Sequence, residues 1–228
     1  PYQTIYAREA GSIAAPTAGL HFTDKVLRQL SERAEIEQVH LHVGAGTFKP
    51  VEVEDARMHS MHAETISVPL STLEALSKVT RARDAGGTGR VIAVGTTSLR
   101  TLESLAICGA RVLRGGPLLE NGFVARQWDG REEVRAADAE LFLAGAGALR
   151  QKGLTELQGS TDLMIAPGYS TFHTDRLITN FHQPRSTLLL LVAAFAGDAR
   201  LWKSAYDSAI GEGYRLLSYG DSSLWIRH

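Results

Sequence analysis

Two segments of the sequence each run from an apolar strand through a polar turn into a helix with a strong N-cap signal. The first is VIAVGTTSLRTLES at 91–104, and the second is LITNFHQPRSTLLLLVAAFAG at 177–197. In the first segment, Gly95 permits a close turn, and the hydroxyl residues 96–98 are good N-caps for the apolar helix positions that follow. Repeated junctions of this kind restrict the chain to an α/β fold.

Strand-like and helix-like patterns alternate along the rest of the chain. Predicted strands cover 39–43, 91–95, 163–166 and 177–181, and predicted helices cover 23–33, 71–84, 97–108, 136–151, 186–196 and 200–210. This alternation predicts a mainly parallel sheet or an α/β barrel, which would be irregular or incomplete because so few strands cannot close an eight-stranded barrel. We expect one domain over 1–228, with 109–160 inserted between Gly-rich edges.

The composition excludes several classes of protein. Hydrophobic residues make up 44% and charged residues 21%, as in an ordinary globular chain, and the formal net charge of −1 does not announce a nucleic-acid partner. The longest apolar run, 188–196, is too short to span a membrane, and there is no signal peptide. The single cysteine, Cys108, indicates a reducing compartment. We expect the protein to be a cytoplasmic monomer. Because the sequence opens on Pro1 and not on methionine, we expect it to be a fragment.

Histidines gather at the ends of predicted strands. His40 and His42 lie on one face of a strand because side chains alternate with a period of two. MHSMHAE adds His59, His62 and Glu64. Histidines beside a carboxylate suit either proton transfer or a metal ion, although each one alone is more often a structural residue.

The helix that starts after Gly95 is a candidate anion site. Unpaired N–H groups at a helix start attract a carboxylate or a phosphate, and Arg100 would add a positive charge. An ordinary capped helix with no ligand is the alternative interpretation.

Eight segments of the chain occur in the order found in one enzyme family. They are YQTIYA, GSIAAPTAGLHF, LHVGAGTFKPV, MHAE, VIAVGTTSLRTLES, PGY, LITNFHQPRSTLLLLVAAFAG and SYGD. In this order the chain resembles the S-adenosylmethionine:tRNA ribosyltransferase-isomerases of queuosine biosynthesis. The resemblance implies an irregular α/β barrel that carries a small β-barrel domain. It also implies that the N-terminal segment of the family chain and most of its small β-barrel domain are absent here.

The resemblance also implies a reaction. Such enzymes transfer and isomerise the ribosyl moiety of S-adenosylmethionine onto 7-aminomethyl-7-deazaguanine in the anticodon loop of tRNA, and release adenine and methionine. S-adenosylmethionine is a co-substrate, and no metal or separate cofactor is implied. Two alternatives from the residues alone are a metal-dependent hydrolase, with His40 and His42 as ligands completed by Glu64 or Asp221, and a non-catalytic RNA-binding module.

The chemistry requires a base, an acid and a dry pocket. Titratable groups on the matching segments that could transfer protons are Glu64, His62, His42 and His182. The residues expected to bind substrate lie on the same segments: His21, Phe22, Gly44, Gly46, Thr47, Thr96, Thr97, Ser98, Arg100, Tyr169, Asn180, Tyr219 and Asp221. Thr96–Ser98 and Arg100 are expected to hold the methionine carboxylate, with a tRNA phosphate as the alternative. We expect an aromatic residue to stack on the tRNA base or on adenine, the candidates being Phe22, Phe48 and Tyr169.

Overall fold

The fold was obtained as a computed structural model, which describes residues 3–7, 15–42, 51–114, 122–131, 142, 146–147 and 149–227. Its helices are α1 (Asp24–Ser31), α2 (Leu70–Asp84), α3 (Thr96–Leu113), α4 (Thr187–Ala196) and α5 (Ala199–Gly211). Its strands are β1 (His40–His42), β2 (Glu64–Pro69), β3 (Ile92–Val94), β4 (Phe123–Ala125), β5 (Glu156–Thr161), β6 (Arg176–Asn180) and β7 (Ser222–Ile226). Short 3₁₀ turns lie at Thr17–His21, Ala56–Met58 and Asp129–Arg131.

The described strands form two open sheets, and both are mixed. The order β1-β2-β5-β4 forms one sheet, in which only the β4–β5 pair is parallel. The order β3-β6-β7 forms the other, in which β3–β6 is parallel and β6–β7 antiparallel. The expectation of a mainly parallel sheet is therefore wrong, because short strands that the sequence patterns did not indicate pair antiparallel with their neighbours. The two sheets are not joined into a closed barrel by any described strand, so the irregular barrel stays a prediction.

Most predicted elements are confirmed within two residues of their limits, because capping side chains mark the helix starts. Thr23 accepts a hydrogen bond from the Val26 N–H, and Ser186 accepts one from the Leu189 N–H. Helix α3 runs further than predicted, to Leu113. The predicted helix 136–151 lies partly outside the described residues.

The predicted strand at 163–166 is wrong. Its apolar side chains Leu163, Met164 and Ile165 are buried, but the regular strand β5 precedes them at Glu156–Thr161. The Met164 N–H donates to the Gln127 carbonyl at 2.9 Å, beyond the end of β4. The apolar run is thus an extended continuation of β5 that packs in the core without a regular ladder.

Helix α3 lies at the centre of the core and contacts strands of both sheets. Its apolar residues, including Leu99 and Ile107, are buried, and so are polar residues such as Arg100 and Glu103. The expected insertion 109–160 contributes β4 and β5 to the larger sheet, and its status as an insertion stays a prediction. Among the described helices, none has the length and apolar character needed to cross a bilayer.

Candidate substrate-binding site

A cleft lies at the carboxyl ends of the parallel strands β3 and β6, where α/β sheets commonly bind ligands. It encloses about 440 Å³ of empty space, part of it continuous with solvent. Four separate stretches of the chain line it: Ala15–Ala18, Leu41 on β1, Gly95–Ser98, and residues Thr179, His182 and Leu188 around the start of α4.

The start of α3 forms one wall of the cleft. Gly95 adopts φ 96° and ψ 149°, a conformation that side-chain-bearing residues avoid, and its N–H donates to the Ile178 carbonyl at 2.8 Å on the neighbouring strand. No side chain caps the helix, and the Gly95 carbonyl accepts the first helical bond, from the Leu99 N–H. The N–H groups of Thr96–Ser98 therefore have no intrahelical acceptor, which makes this wall suitable for an anion.

His182 also lines the cleft, and the surrounding protein fixes its position. Its side chain is only 8% exposed, and its Nε2 lies 2.9 Å from the Thr179 hydroxyl oxygen. Its backbone N–H donates to the Tyr206 hydroxyl at 3.0 Å. Burial lowers the pKa of His182 to about 4, so the imidazole is neutral at pH 7. It can make hydrogen bonds there but cannot act as an imidazolium acid.

His21 and Asn180 lie next to the cleft. The Asn180 amide nitrogen lies 3.0 Å from His21 Nε2 and donates to the Leu217 carbonyl at 3.2 Å. Asn180 is buried, His21 is exposed, and Phe22 is half-buried. Asn180 thus joins the 3₁₀ turn that lines the cleft to the loop before β7.

Arg100 does not line the cleft, contrary to the expectation that it holds the anion there. Its Nη1 lies 3.2 Å from the Glu64 Oε1 atom, with the two side chains 3% and 2% exposed. A buried guanidinium requires a counter-charge, and the protein supplies its own from β2. The sequence could not reveal this pair because Arg100 lies on helix α3 and Glu64 on strand β2, 36 residues apart in the chain.

The histidines of β1 point away from the cleft. Leu41 lines the cleft, so His40 and His42 lie on the opposite face of the strand. His40 Nδ1 is 3.4 Å from Glu156, and His42 is exposed. His62 is also exposed, just before β2. Four expected ligand-binding positions, Gly44, Gly46, Thr47 and Phe48, lie outside the described residues.

Tyr169 is held at the opposite end of the smaller sheet, in the loop before β6. Its hydroxyl donates to Glu103 at 3.1 Å, and the Phe172 and His173 N–H groups donate to the same carboxylate at 2.9 and 3.4 Å. Burial raises the pKa of Glu103 to about 7. Tyr169 therefore anchors this loop and does not line the cleft, and its expected stacking on a base stays a prediction. Glu103 was missed from the sequence, where an acidic residue amid the apolar positions of α3 was the available signal.

The last two expected binding residues lie in the turn before β7. Asp221 accepts a hydrogen bond from the Arg215 N–H at 2.8 Å, so its carboxylate closes the turn. Tyr219 is 74% exposed. Within the described ranges, no three His, Cys, Asp or Glu side chains converge as a metal site would need.

The chain thus has an α/β fold with a cleft at the carboxyl ends of two parallel strands, against a helix start that no side chain caps. The chain belongs to the family described as "Queuosine biosynthesis protein", whose sequence profile matches residues 1–225. This result confirms the resemblance seen in the sequence.

Several relatives match almost all of the chain. It is 46% identical over 224 residues to the S-adenosylmethionine:tRNA ribosyltransferase-isomerase of Rhodospirillum rubrum, covering 98% of this chain and 51% of the relative. It is 44% identical to the protein of the same name from Desulfitobacterium hafniense, covering 98% and 52%. The crystal structure of S-adenosylmethionine tRNA ribosyltransferase from Thermotoga maritima superposes with a TM-score of 0.55 at 32% identity, over 91% of this chain and 50% of that one. The chain therefore spans about half the length of these relatives.

Proposed function

We propose that the protein containing this chain transfers and isomerises the ribosyl moiety of S-adenosylmethionine onto 7-aminomethyl-7-deazaguanine in tRNA. The products are epoxyqueuosine in tRNA, adenine and methionine. The observation that carries this proposal is that four of the family-like segments, APTA, HLH, GTTS and TNFH, meet at one cleft. Family membership and the names of the relatives support the same reaction.

S-adenosylmethionine occupies the cleft in this proposal, with its carboxylate at the start of α3. The unpaired N–H groups of Thr96–Ser98 and the positive end of the helix dipole both favour a negative group there. Pro16, Leu41 and Leu188 give the cleft apolar walls. These walls exclude water from the sulfonium end of the substrate, where the carbon-bound proton must be removed.

The tRNA contributes its anticodon loop, whose unpaired base can be splayed into a pocket without melting a duplex. We propose that the enzyme acts as a monomer in the cytoplasm and uses S-adenosylmethionine as a co-substrate, with no metal or further cofactor. Phe22 lies beside the lining residues 15–18 and is the aromatic residue proposed to stack on a base.

Glu64 is the proposed base. His182 is neutral and serves to bind, whereas His42 and His62 are exposed. Like Arg100, Glu64 does not line the cleft; it is buried against α3, whose first turn does, so the proposal requires that its carboxylate reach the substrate in the complex. In such a low-dielectric position, the attraction between the carboxylate and the sulfonium is stronger than in water. Glu64→Gln should retain substrate binding and lose about 10²- to 10⁴-fold in turnover, the usual contribution of a positioned base. Near-normal turnover with a lower melting temperature would assign Glu64 to the ion pair alone.

Adenine release tests the proposal. The intact protein should release adenine from S-adenosylmethionine with tRNA that carries the aminomethyl-deazaguanine, and the matched control is the same tRNA with guanine at that position. Release should continue in a chelator. Release with the control tRNA, or its loss in the chelator, would contradict the proposal. Affinity for tRNA without consumption of S-adenosylmethionine would indicate an RNA-binding module.

A further inference from the structure

Thr179 and His182 form a buried pair in the wall of the cleft. Thr179 is 1% exposed and His182 is 8% exposed. The hydroxyl oxygen of Thr179 lies 2.9 Å from Nε2 of His182. Among the described residues, this contact is the only hydrogen bond of the hydroxyl, and Nδ1 of His182 has none. The pair therefore presents one polar ring atom, Nδ1, that is available to a ligand in the cleft.

The pattern of partners determines where the ring proton lies. A neutral imidazole has one N–H donor and one acceptor nitrogen, and a hydroxyl carries one hydrogen that must find an acceptor when buried. If Nε2 carried the proton, Thr179 would accept it, and the buried hydroxyl hydrogen would be left without an acceptor among the described residues. If the hydroxyl donates to Nε2, both groups are satisfied and Nδ1 carries the proton.

We infer that Thr179 is a positioning residue, which holds His182 as the Nδ1–H tautomer so that the imidazole donates a hydrogen bond to the carboxylate of the ligand at the start of α3. The inference rests on the proposed function for the identity of the ligand. Two independent features point to an acceptor-rich group at the same place: the uncapped N–H groups of Thr96–Ser98 and the unpaired Nδ1 of a histidine that is more than nine-tenths buried.

The backbone around His182 supports this geometry. The Tyr206 hydroxyl, on α5, accepts the N–H of His182 at 3.0 Å and fixes the main chain. Thr179 itself belongs to β6, where its carbonyl accepts a hydrogen bond from the Ser223 hydroxyl at 3.1 Å. The imidazole is thus held from two elements and presents its Nδ1–H without the need for a conformational change.

The tautomer can be measured in the ligand-free protein by NMR of ¹⁵N-labelled histidine, because protonated and unprotonated ring nitrogens have well-separated shifts. His182→Gln identifies the signal by its loss. We expect the Nδ1–H form in the wild type and in Thr179→Ser, and a mixture of tautomers in the isosteric Thr179→Val. An Nε2–H form in the wild type, or an unchanged Nδ1–H form in Thr179→Val, would overturn the inference. The wild-type measurement stands even if Thr179→Val fails to fold.

Binding of two ligands tests the contact with the carboxylate. Thr179→Val should bind S-adenosylmethionine about 2- to 12-fold more weakly, the loss expected for one ordinary hydrogen bond. Decarboxylated S-adenosylmethionine, which lacks the acceptor, should bind Thr179→Val and wild type equally. An equal loss for both ligands would contradict a contact with the carboxylate. Because neither measurement uses turnover, failure of the adenine assay would refute the proposed reaction without touching the tautomer assignment.

Discussion

Replacing Arg100 by Leu distinguishes a structural ion pair from a ligand-binding arginine. The guanidinium and the Glu64 carboxylate are 3.2 Å apart and at most 3% exposed, so water screens neither charge. Loss of the arginine removes this counter-charge from a buried carboxylate. Removal of one partner from a buried pair costs about 3–5 kcal/mol. In a domain of this size, that loss corresponds to a fall of roughly 6–20 °C in melting temperature.

The double variant Arg100→Leu, Glu64→Leu provides the internal control. It removes both charges and replaces them with apolar groups, a change that is often neutral or stabilising, so it should recover most of the lost stability. The pair Lys78–Glu35 provides a matched surface control: its atoms are closer, at 2.9 Å, but the side chains are 73% and 55% exposed. Lys78→Leu should therefore change stability by less than about 1 kcal/mol.

Urea unfolding measures the free energy of unfolding, and calorimetric titration with S-adenosylmethionine measures the affinity. We expect Arg100→Leu to lower the free energy of unfolding and to leave the affinity of the folded protein within about 2-fold, since the side chain does not line the cleft. An unchanged stability together with an affinity loss of about 10-fold or more, the cost of one charge-assisted bond, would refute the assignment.

Three further changes have expected outcomes. Gly95→Ala should lower stability by about 1–3 kcal/mol and weaken S-adenosylmethionine binding, because φ 96° with ψ 149° is suited to glycine; equal melting curves would contradict this. Burial lowers the pKa of His182 to about 4 in the folded state, so the free energy of unfolding should fall by about 3 kcal/mol as the pH drops from about 6.5 to 4. In urea titrations, His182→Gln should remove this fall. Burial raises the pKa of Glu103 to about 7, so its contribution to the free energy of unfolding is present at acidic pH and lost as the pH rises from about 4.5 to 7. Glu103→Gln should make the free energy of unfolding nearly constant over that range, and an unchanged pH dependence would contradict the assignment.

The sequence predicted the helices and the cleft-forming junctions because their signals are local. Ser186 caps α4 as expected, and the turn at Gly95 separates β3 from α3. The expectation that the hydroxyl residues 96–98 cap α3 is wrong, because the helix begins at Thr96 with Gly95 at the cap position and no side-chain cap. Four strands were missed: β2, β4, β5 and β7. The buried residues of β2 include Glu64 and Ser67, so this strand lacks a clean apolar alternation.

Long-range pairings account for the rest of the difference. The sequence indicates that Arg100 lies on a helix but not that its partner is Glu64, 36 residues away on strand β2. It likewise places His40 and His42 together on one face of β1, but which face meets the cleft depends on the packing of Leu41. Local periodicity predicts which residues share a face, whereas tertiary packing decides what that face contacts.

The position of bound S-adenosylmethionine tests the central claim most directly. In a crystal structure of the intact protein with this ligand, the account predicts the methionine carboxylate within hydrogen-bond distance of the N–H groups of Thr96–Ser98 and of His182 Nδ1. The apolar side chains of Leu41 and Leu188 should lie beside the ligand. A carboxylate bound away from the start of α3, with the cleft at the carboxyl ends of β3 and β6 empty, would contradict the account.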